Sequence, residues 1–281
     1  YNPGDKSIRH LLAIATGVLV MVWALTSQAA PDADLWKFWT AHNPESQVTV
    51  DHTDWQTFLD AHVVASNDGV NRIAYGKVQS GAKQHLAGYI KYLSQLPPRT
   101  LNKNEQRAYW INLYNALTVN VVLDHYPVES ILDIKISPGF FAPGPWGKKL
   151  VTIEGRDISL DDIEHRILRP IWQDNRVHYA VNCAAVGCPN LNKDAYTAAN
   201  TDRLLSAAAG TYINHPRGVR VEDGALYVSR IFDWYKVDFG DSDESVIAHL
   251  KKYAGSRLQK ALADITEIED HAYDWSLNKI P

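Results

Sequence analysis

Both cysteines of the chain lie within one short stretch, residues 176–189, which also contains a histidine and ends in a proline. Its sequence is RVHYAVNCAAVGCP, with His178 five positions before Cys183, and Cys183 five positions before Cys188. A thiol beside an imidazole can serve as a nucleophile, because a nearby cation lowers the thiol pKa and the thiolate is the reactive form. We therefore expect the chemistry of this protein within residues 176–189.

Three chemistries are open for the two cysteines. In the first, Cys183 is a thiolate nucleophile with His178 or His165 as its base. In the second, Cys183 and Cys188 form a disulfide, which an oxidising compartment favours. Closing so short a loop stabilises a fold by only about 2 kcal/mol, so this bond would be a local reinforcement or a redox device. In the third, the two cysteines bind zinc with His178 and His165, although this spacing is at the edge of common zinc patterns.

A strand is predicted for residues 177–182, and it ends at Cys183. Strand ends that lead into turns commonly present reactive side chains on a rigid scaffold. On a continuous strand, His178 and Cys183 point to opposite faces, because their separation is an odd number of residues. The base must then be His165, unless a turn at Asn182 breaks the alternation.

The elements that must position these residues are mainly helical. Apolar periodicity and end signals predict helices over residues 82–95, 104–123, 159–169, 202–213 and 244–253. On the third of these, His165 faces away from the apolar side and is free to meet solvent or a cleft. A strand is predicted at residues 150–154, and Asp223-Gly224 predicts a β-hairpin with a type I′ turn. We expect a mixed α/β fold of the α+β type, mainly helical, with a small sheet and a β-hairpin.

Three polar residues stand out on the central helix, which is apolar nearly all round. Glu105, Asn112 and Asn115 share one side of it. A buried polar group without a partner costs about 1–3 kcal/mol, so other segments must supply hydrogen bonds. One interpretation places these side chains at the thiol site, where Glu105 or Asn112 orients the base. The other is structural: the asparagines tie down loops and Glu105 completes the helix N-terminus.

A Pro- and Gly-rich stretch, residues 137–147, excludes regular structure and predicts a long ordered loop. Such loops often carry function. Phe140, Phe141 and Trp146 would suit an aromatic flap over a cleft, although anchoring the loop to the body of the domain explains them equally well.

The first residues resemble a targeting segment. An uncharged apolar run at 11–25 follows two basic residues and leads to small residues ending near Ala29. This pattern predicts a signal peptide over residues 1–29, with an uncleaved anchor as the alternative. Residues 30–281 then form a single globular domain, periplasmic or secreted, with no stable membrane span after signal cleavage.

The charge of the chain is moderate and mixed, with 28 Lys and Arg against 32 Asp and Glu and no block of one sign. This balance argues against a nucleic-acid partner. We expect no cofactor and no bound metal.

Four blocks of the chain, in order, resemble the hallmark motifs of one family. They are residues 105–116, 159–169, 176–189 and 273–278, the last reading YDWSLN. The family is catalogued as domain of unknown function five-four-seven, with exported bacterial members and plant members that follow leucine-zipper segments. The resemblance covers residues 86–278, without a plant-type zipper. It implies these site positions: Glu105, Asn112, Asn115, His165, Arg176, His178, Asn182, Cys183 and Cys188.

We expect an exported thiol-dependent hydrolase or acyl-transferase that acts on peptide or amide bonds in the cell envelope. Cys183 attacks, and His178 or His165 exchanges protons. Asn112 or Asn182 orients the base or supports an oxyanion.

The alternative is a non-catalytic binding module of the cell envelope with a Cys183–Cys188 disulfide, whose loop around Phe140, Phe141 and Trp146 recognises a ligand. In either case the partner is a peptide or small molecule, which residues such as Asn115, Arg176 and Asn182 help to bind.

Overall fold

The computed structural model describes residues 31–139 and 142–281 of the chain. The expected signal peptide at residues 1–29 and the loop residues Phe140 and Phe141 lie outside the described residues. Most regular structure in these ranges is helical. The α-helices are α1 (Thr53–His62), α2 (Ser80–Gln95), α3 (Lys103–His125), α4 (Arg169–Trp172), α5 (Thr201–Ile213), α6 (Ile231–Trp234), α7 (Asp243–Tyr253) and α8 (Ser256–Ala261).

The strands are short and form small sheets. They are β1 (Val63–Ala65), β2 (Asn71–Ile73), β3 (Val151–Ile153), β4 (Arg156–Ile158), β5 (Val219–Glu222), β6 (Ala225–Ser229) and β7 (Asp270–Ala272). Strands β1 and β2 pair antiparallel, as do β3 and β4. Strand β6 pairs antiparallel with β5 and parallel with β7. The fold is therefore of the α+β type, mainly helical and in a single domain, as the sequence predicts.

The central helix α3 is buried at every position from Ala108 to Val119. It begins at Lys103, and its N-cap is Asn102, whose side chain accepts the backbone N–H of Glu105 at 3.0 Å. The helix predicted from residue 104 therefore begins one residue earlier than expected. Helix α2 packs beside α3, and no helix among the described residues has the length and apolarity to cross a membrane.

The helix predicted over residues 159–169 is a π-helix from Asp162 to Leu168, and it continues without a break into α4. Ser159 and Asp162 cap its start by exchanging backbone and side-chain hydrogen bonds. The predicted end at residue 169 is wrong, because the helix continues through Pro170 to Trp172. Proline has no N–H to donate to the preceding turn, and the Arg166 carbonyl accepts the N–H of Trp36 at 3.0 Å instead. A π-helical turn is rare and is frequently found at functional sites.

The strand predicted over residues 177–182 is absent, since Asn175–Tyr179 forms a 3₁₀-helix and a loop follows. The Asp174 side chain caps this 3₁₀-helix by accepting the backbone N–H of Arg176. The apolar alternation in this stretch reflects burial on several sides. The strand-parity argument about His178 and Cys183 therefore does not apply.

The hairpin prediction is confirmed. Strands β5 and β6 are joined by Asp223 and Gly224, with φ of 51° and 82°. Positive φ at both central residues is the signature of a type I′ turn.

An alanine at Gly88 is expected to raise the free energy of unfolding by about 0.5–1 kcal/mol. Gly88 lies in the interior of α2, and a Cβ built there meets no other atom within 4 Å. The gain comes from the lower conformational freedom of the unfolded chain. Urea denaturation of Gly88→Ala beside wild type measures it, and a loss of stability would contradict the open helix surface described here.

Candidate functional site

A cavity of about 310 Å³ is lined by both cysteines and by most of the titratable residues expected at the site. Polar or reactive residues on its wall are Tyr114, Asp161, Glu164, His165, His178, Cys183, Cys188 and Tyr273. Aromatic rings at the same cavity are Trp146, Trp234, Tyr235 and Trp275. The cavity thus joins the π-helix, the 3₁₀-helix of His178, the cysteine loop and a segment 90 residues further along the chain.

The two cysteines form a hydrogen-bonded pair of free thiols. Their sulfur atoms are 3.0 Å apart, whereas a disulfide bond is about 2.05 Å long. The disulfide interpretation is therefore not supported. The Cys183 thiol donates to the Cys188 sulfur, which also accepts the backbone N–H of Cys183 at 3.0 Å. The hydroxyl of Tyr273 lies 3.0 Å from the Cys183 sulfur.

This arrangement favours Cys188 over Cys183 as the sulfur that loses its proton first. The hydrogen bond to Cys188, together with burial, raises the pKa of the Cys183 thiol. Burial alone would also raise the pKa of Cys188, but the hydrogen bonds from the Cys183 thiol and backbone outweigh it and lower that pKa. A backbone N–H can only donate, so it favours a thiolate on Cys188 over a thiol. Cys183 is the partly exposed member of the pair, and Cys188 is buried.

The loop that carries the cysteines is held by asparagine side chains. Asn115 of α3 donates to the carbonyl of Ala180 at 2.9 Å and accepts the N–H of Asn182 at 2.8 Å. The Asn182 amide donates to the carbonyl of Pro189 at 2.7 Å, and its oxygen accepts the N–H of Ala184. Both asparagines are buried, so they fix the loop and leave no polar group facing the cavity.

The other side of the loop pairs with the segment that contains Tyr273. The N–H groups of Val186 and Gly187 donate to the carbonyls of Ser276 and Asp274, each at 2.8 Å. A Cβ at Gly187 would lie only 2.7 Å from the Asp274 nitrogen, so the backbones approach this closely only because residue 187 is glycine. This pairing brings the Tyr273 hydroxyl to the sulfur.

His178 is oriented by Asp238. The Asp238 carboxylate accepts from Nε2 at 2.7 Å, so this nitrogen carries a proton. The other nitrogen, Nδ1, is buried, has no hydrogen-bond partner among the described residues and lies 3.8 Å from Glu164 Oε1. The ring stacks on Tyr235 at 3.9 Å between centroids. An imidazole held by a carboxylate on one nitrogen and free on the other is the arrangement of a general acid and base.

His165 lies on the same wall but is bound differently. The expectation that it faces away from the core and into a cleft agrees with its place on the cavity wall, although it is 5% exposed. Burial lowers its pKa to about 4, and the charge of Arg169 adds to this effect. Its Nδ1 accepts from Arg169 at 3.1 Å, so Nε2 carries the proton and faces Asp161 at 3.7 Å. His165 is therefore neutral at pH 7.

Neither imidazole is a hydrogen-bond partner of a cysteine sulfur within the described ranges, since the Cys183 sulfur meets only Cys188 and Tyr273 side chains. In the same ranges, no three His, Cys, Asp or Glu side chains gather into a group that could hold a metal ion. The zinc interpretation therefore has no support from the geometry.

Glu105, Asn112 and Arg176 do not line the cavity. Glu105 accepts the backbone N–H of Val50 at 2.6 Å. Asn112 exchanges two hydrogen bonds with the backbone of Tyr196. These contacts fit the structural interpretation of the polar residues on the central helix. Arg176 pairs with acidic side chains, Asp174 and Asp202, on the outside of the 3₁₀-helix.

Trp146 of the predicted aromatic loop lies at the cavity and meets Trp275 edge to face, with ring centroids 5.8 Å apart. Trp275 in turn contacts Trp234 and Tyr273. Trp275 thus links the ring of Trp146 to those of Trp234 and Tyr273, although sequence reasoning assigned no role to Trp234 or Trp275.

Sequence reasoning missed Asp161, Glu164, Asp238 and Tyr273. Glu164 precedes His165 in a motif that was noted, and Tyr273 opens the YDWSLN block, so both carried a signal. Asp238 carried none, because it lies 60 residues from the imidazole it orients and outside every recognised motif.

Comparison with known proteins confirms the family resemblance. The family model described as "Protein of unknown function, DUF547" matches residues 98–213. This range holds both cysteines and both histidines of the cavity, whereas Asp238 and Tyr273 lie beyond it. No curated protein and no solved structure matches the chain.

Proposed function

We propose that this protein is an exported thiol-dependent hydrolase or acyl-transferase that acts on peptide or amide bonds. The observation that carries the proposal is the meeting, in one cavity, of a hydrogen-bonded thiol pair and a histidine oriented by Asp238. A nucleophile, a base and a group that orients the base are the three parts of cysteine acyl-transfer chemistry.

Cys183 is the proposed nucleophile, because it is the partly exposed sulfur of the pair. In the resting state, the Cys183 thiol donates to the Cys188 sulfur, and His178 lies between the carboxylates of Asp238 and Glu164. The Cys183 sulfur bonds to the carbonyl carbon while its proton passes to Cys188, 3.0 Å away. The Tyr273 hydroxyl, at the same sulfur, donates to the developing oxyanion.

Breakdown of this intermediate cleaves the C–N bond, and Cys188 gives the proton it accepted to the departing amine. In hydrolysis, His178 takes a proton from water, whose oxygen attacks the thioester carbon. The C–S bond breaks, the acid leaves, and the proton on His178 returns to the Cys183 thiolate by way of water. His178 thus acts on water, which is consistent with its lack of a hydrogen bond to sulfur.

The thiols give the first test. Iodoacetamide, added without reductant to the folded protein, is expected to label one sulfur before the other. Peptide mass spectrometry should place this label on Cys183, which is partly exposed and can pass its proton to Cys188 as the C–S bond forms. Cys183→Ser should lose this first label. A count of zero free thiols before reduction and two afterwards would overturn the proposal.

Acetylation by p-nitrophenyl acetate tests the role of His178. The reagent should transfer its acetyl group to Cys183 and release p-nitrophenol. His178→Asn should slow loss of the acetyl group by about a hundredfold or more, the usual contribution of a general base. The control is His42→Asn, since His42 is exposed and remote from the cavity.

The second candidate is a non-catalytic binding module, and the aromatic wall of Trp146, Trp234 and Trp275 favours it. Rings of this kind bind ligands without any reaction at sulfur. Under this function, the acetyl group would attach to Cys183 no faster than to the unfolded chain.

A further inference from the structure

We propose that the cavity selects a substrate that carries a protonated amine close to the acyl group on which the thiol acts. The inference rests on the proposed function and names its substrate class. Its basis is a pair of carboxylates, Asp161 and Glu164, placed among aromatic rings at the cavity wall.

Asp161 has no basic side chain bound to it within the described ranges. The neighbouring cations are committed elsewhere: Lys149 and Arg166 both pair with Asp162, and Arg169 pairs with Asp238. The contact of the Asp161 carboxylate is His165 Nε2 at 3.7 Å, and that imidazole is neutral at pH 7. A carboxylate at a cavity wall that has no basic side chain as a partner is stabilised most by a ligand with a positive charge.

Glu164 adds a second negative charge. Its side chain is 8% exposed and accepts the Tyr114 hydroxyl at 3.1 Å. Burial would raise the pKa of this carboxyl, but the neighbouring imidazoles of His165 and His178 and a hydrogen bond with Tyr235 outweigh it and lower the pKa to about 2. The described ranges give Glu164 no Lys or Arg partner. The cavity wall therefore carries two carboxylates that Lys and Arg do not neutralise.

The rings beside these carboxylates suit an ammonium group. Trp234, Tyr273 and Trp275 contact one another at the cavity, with ring centroids 4.7–5.5 Å apart. Aromatic faces attract cations, and a desolvated site strengthens that attraction. His178 lines the same cavity, and its buried Nδ1 has no hydrogen-bond partner in the described ranges, so an N–H of a bound ammonium group can donate to it.

Burial raises the pKa of the Asp161 carboxyl to about 6, and the charges of Glu164 and Asp162 add to this. This shift is what the lack of a counter-ion produces. A bound ammonium group would reverse it.

Two thiol reagents of similar size and opposite charge test the inference. They are 2-(trimethylammonium)ethyl and 2-sulfonatoethyl methanethiosulfonate, and each gives a mixed disulfide as the thiolate displaces methanesulfinate. The ratio of their rates on the folded protein, divided by the ratio on the urea-unfolded chain, is expected to exceed about ten. A ratio near one would overturn the inference.

Variants show whether Asp161 causes the selectivity. Asp161→Asn should bring the ratio most of the way to one, and Asp161→Glu should keep it. The matched control is Asp157→Asn, because Asp157 is exposed on β4 away from the cavity. Selectivity unchanged in Asp161→Asn would contradict the proposal.

A binding measurement separates this inference from the proposed reaction. Tetramethylammonium chloride is expected to quench the tryptophan fluorescence of a Cys183→Ser protein, and sodium methanesulfonate is not. If the protein binds the cation but its thiols are unreactive, the inference on charge selectivity stands and the proposed reaction is contradicted. If the thiols react but the cation does not bind, the proposed reaction stands and the inference is contradicted.

Discussion

Replacing Asn115 by leucine is expected to lower the free energy of unfolding by about 2–6 kcal/mol. The Asn115 side chain is 1% exposed and satisfies both the Ala180 carbonyl and the Asn182 N–H. Leucine has a similar volume but leaves these two backbone groups buried without partners, at about 1–3 kcal/mol each. The cysteine loop would then shift, and thiol labelling should change with it.

Urea denaturation followed by circular dichroism measures the loss. The control is Asn120→Leu on the same helix, where the side chain donates to the exposed Asp124. That substitution should stay within about 0.5 kcal/mol of wild type. Equal effects from the two variants would show that Asn115 does not hold the loop as described.

Replacing Arg169 by methionine is expected to lower the free energy of unfolding by about 3–5 kcal/mol. This is the usual penalty for removing one member of a buried ion pair. The Arg169 side chain is 2% exposed and donates to Asp238 at 2.6 Å, to the Pro31 carbonyl and to His165. Methionine keeps most of the packing volume but leaves Asp238 with His178 as its remaining partner. A control on the same helical segment is Arg166→Met, whose side chain is 37% exposed and which should cost far less.

Acidification provides a check on the same carboxylate. Burial would raise the pKa of Asp238, but His178 and Arg169 outweigh it and lower the pKa to about 2 from the ordinary 3.8. A depressed pKa in the folded state means that the stabilisation is present above about pH 4 and is lost as pH falls towards 2. Asp238→Asn should remove this part of the acid sensitivity. An unchanged pH profile would contradict the ion pair.

The larger elements could be predicted from the sequence because their signals are local. Helices α2, α3, α5 and α7 follow apolar periodicity with recognisable ends, and the hairpin follows from Asp223-Gly224. The strand expected at residues 177–182 failed because alternating apolar residues also occur in a segment buried on several sides. The π-helix could not be anticipated, since a segment of seven residues is too short for apolar spacing to distinguish a π-helical turn from an α-helical one.

Residues of the candidate site could be predicted only where they lie in a sequence motif. Cys183, Cys188, His178 and His165 do share one cavity, as their motifs suggested. Glu105 and Asn112 also belong to a family motif, yet their side chains bind backbone groups away from the cavity. A polar residue in an apolar helix indicates that the residue is buried, but it does not indicate whether its role is structural or catalytic. The role of Asp238 could not be predicted from the sequence, since its contact with His178 depends on tertiary packing.

The pairing of residues 184–187 with residues 274–277 also has a consequence for the order of events during synthesis. A growing chain that has reached α5 already contains both sulfurs and both histidines. It still lacks the carbonyl groups that accept from Val186 and Gly187. It also lacks the Tyr273 hydroxyl beside Cys183 and the Asp238 carboxylate that orients His178. The thiols therefore leave the ribosome about 90 residues before their surroundings are complete, and over that interval they behave as ordinary cysteines.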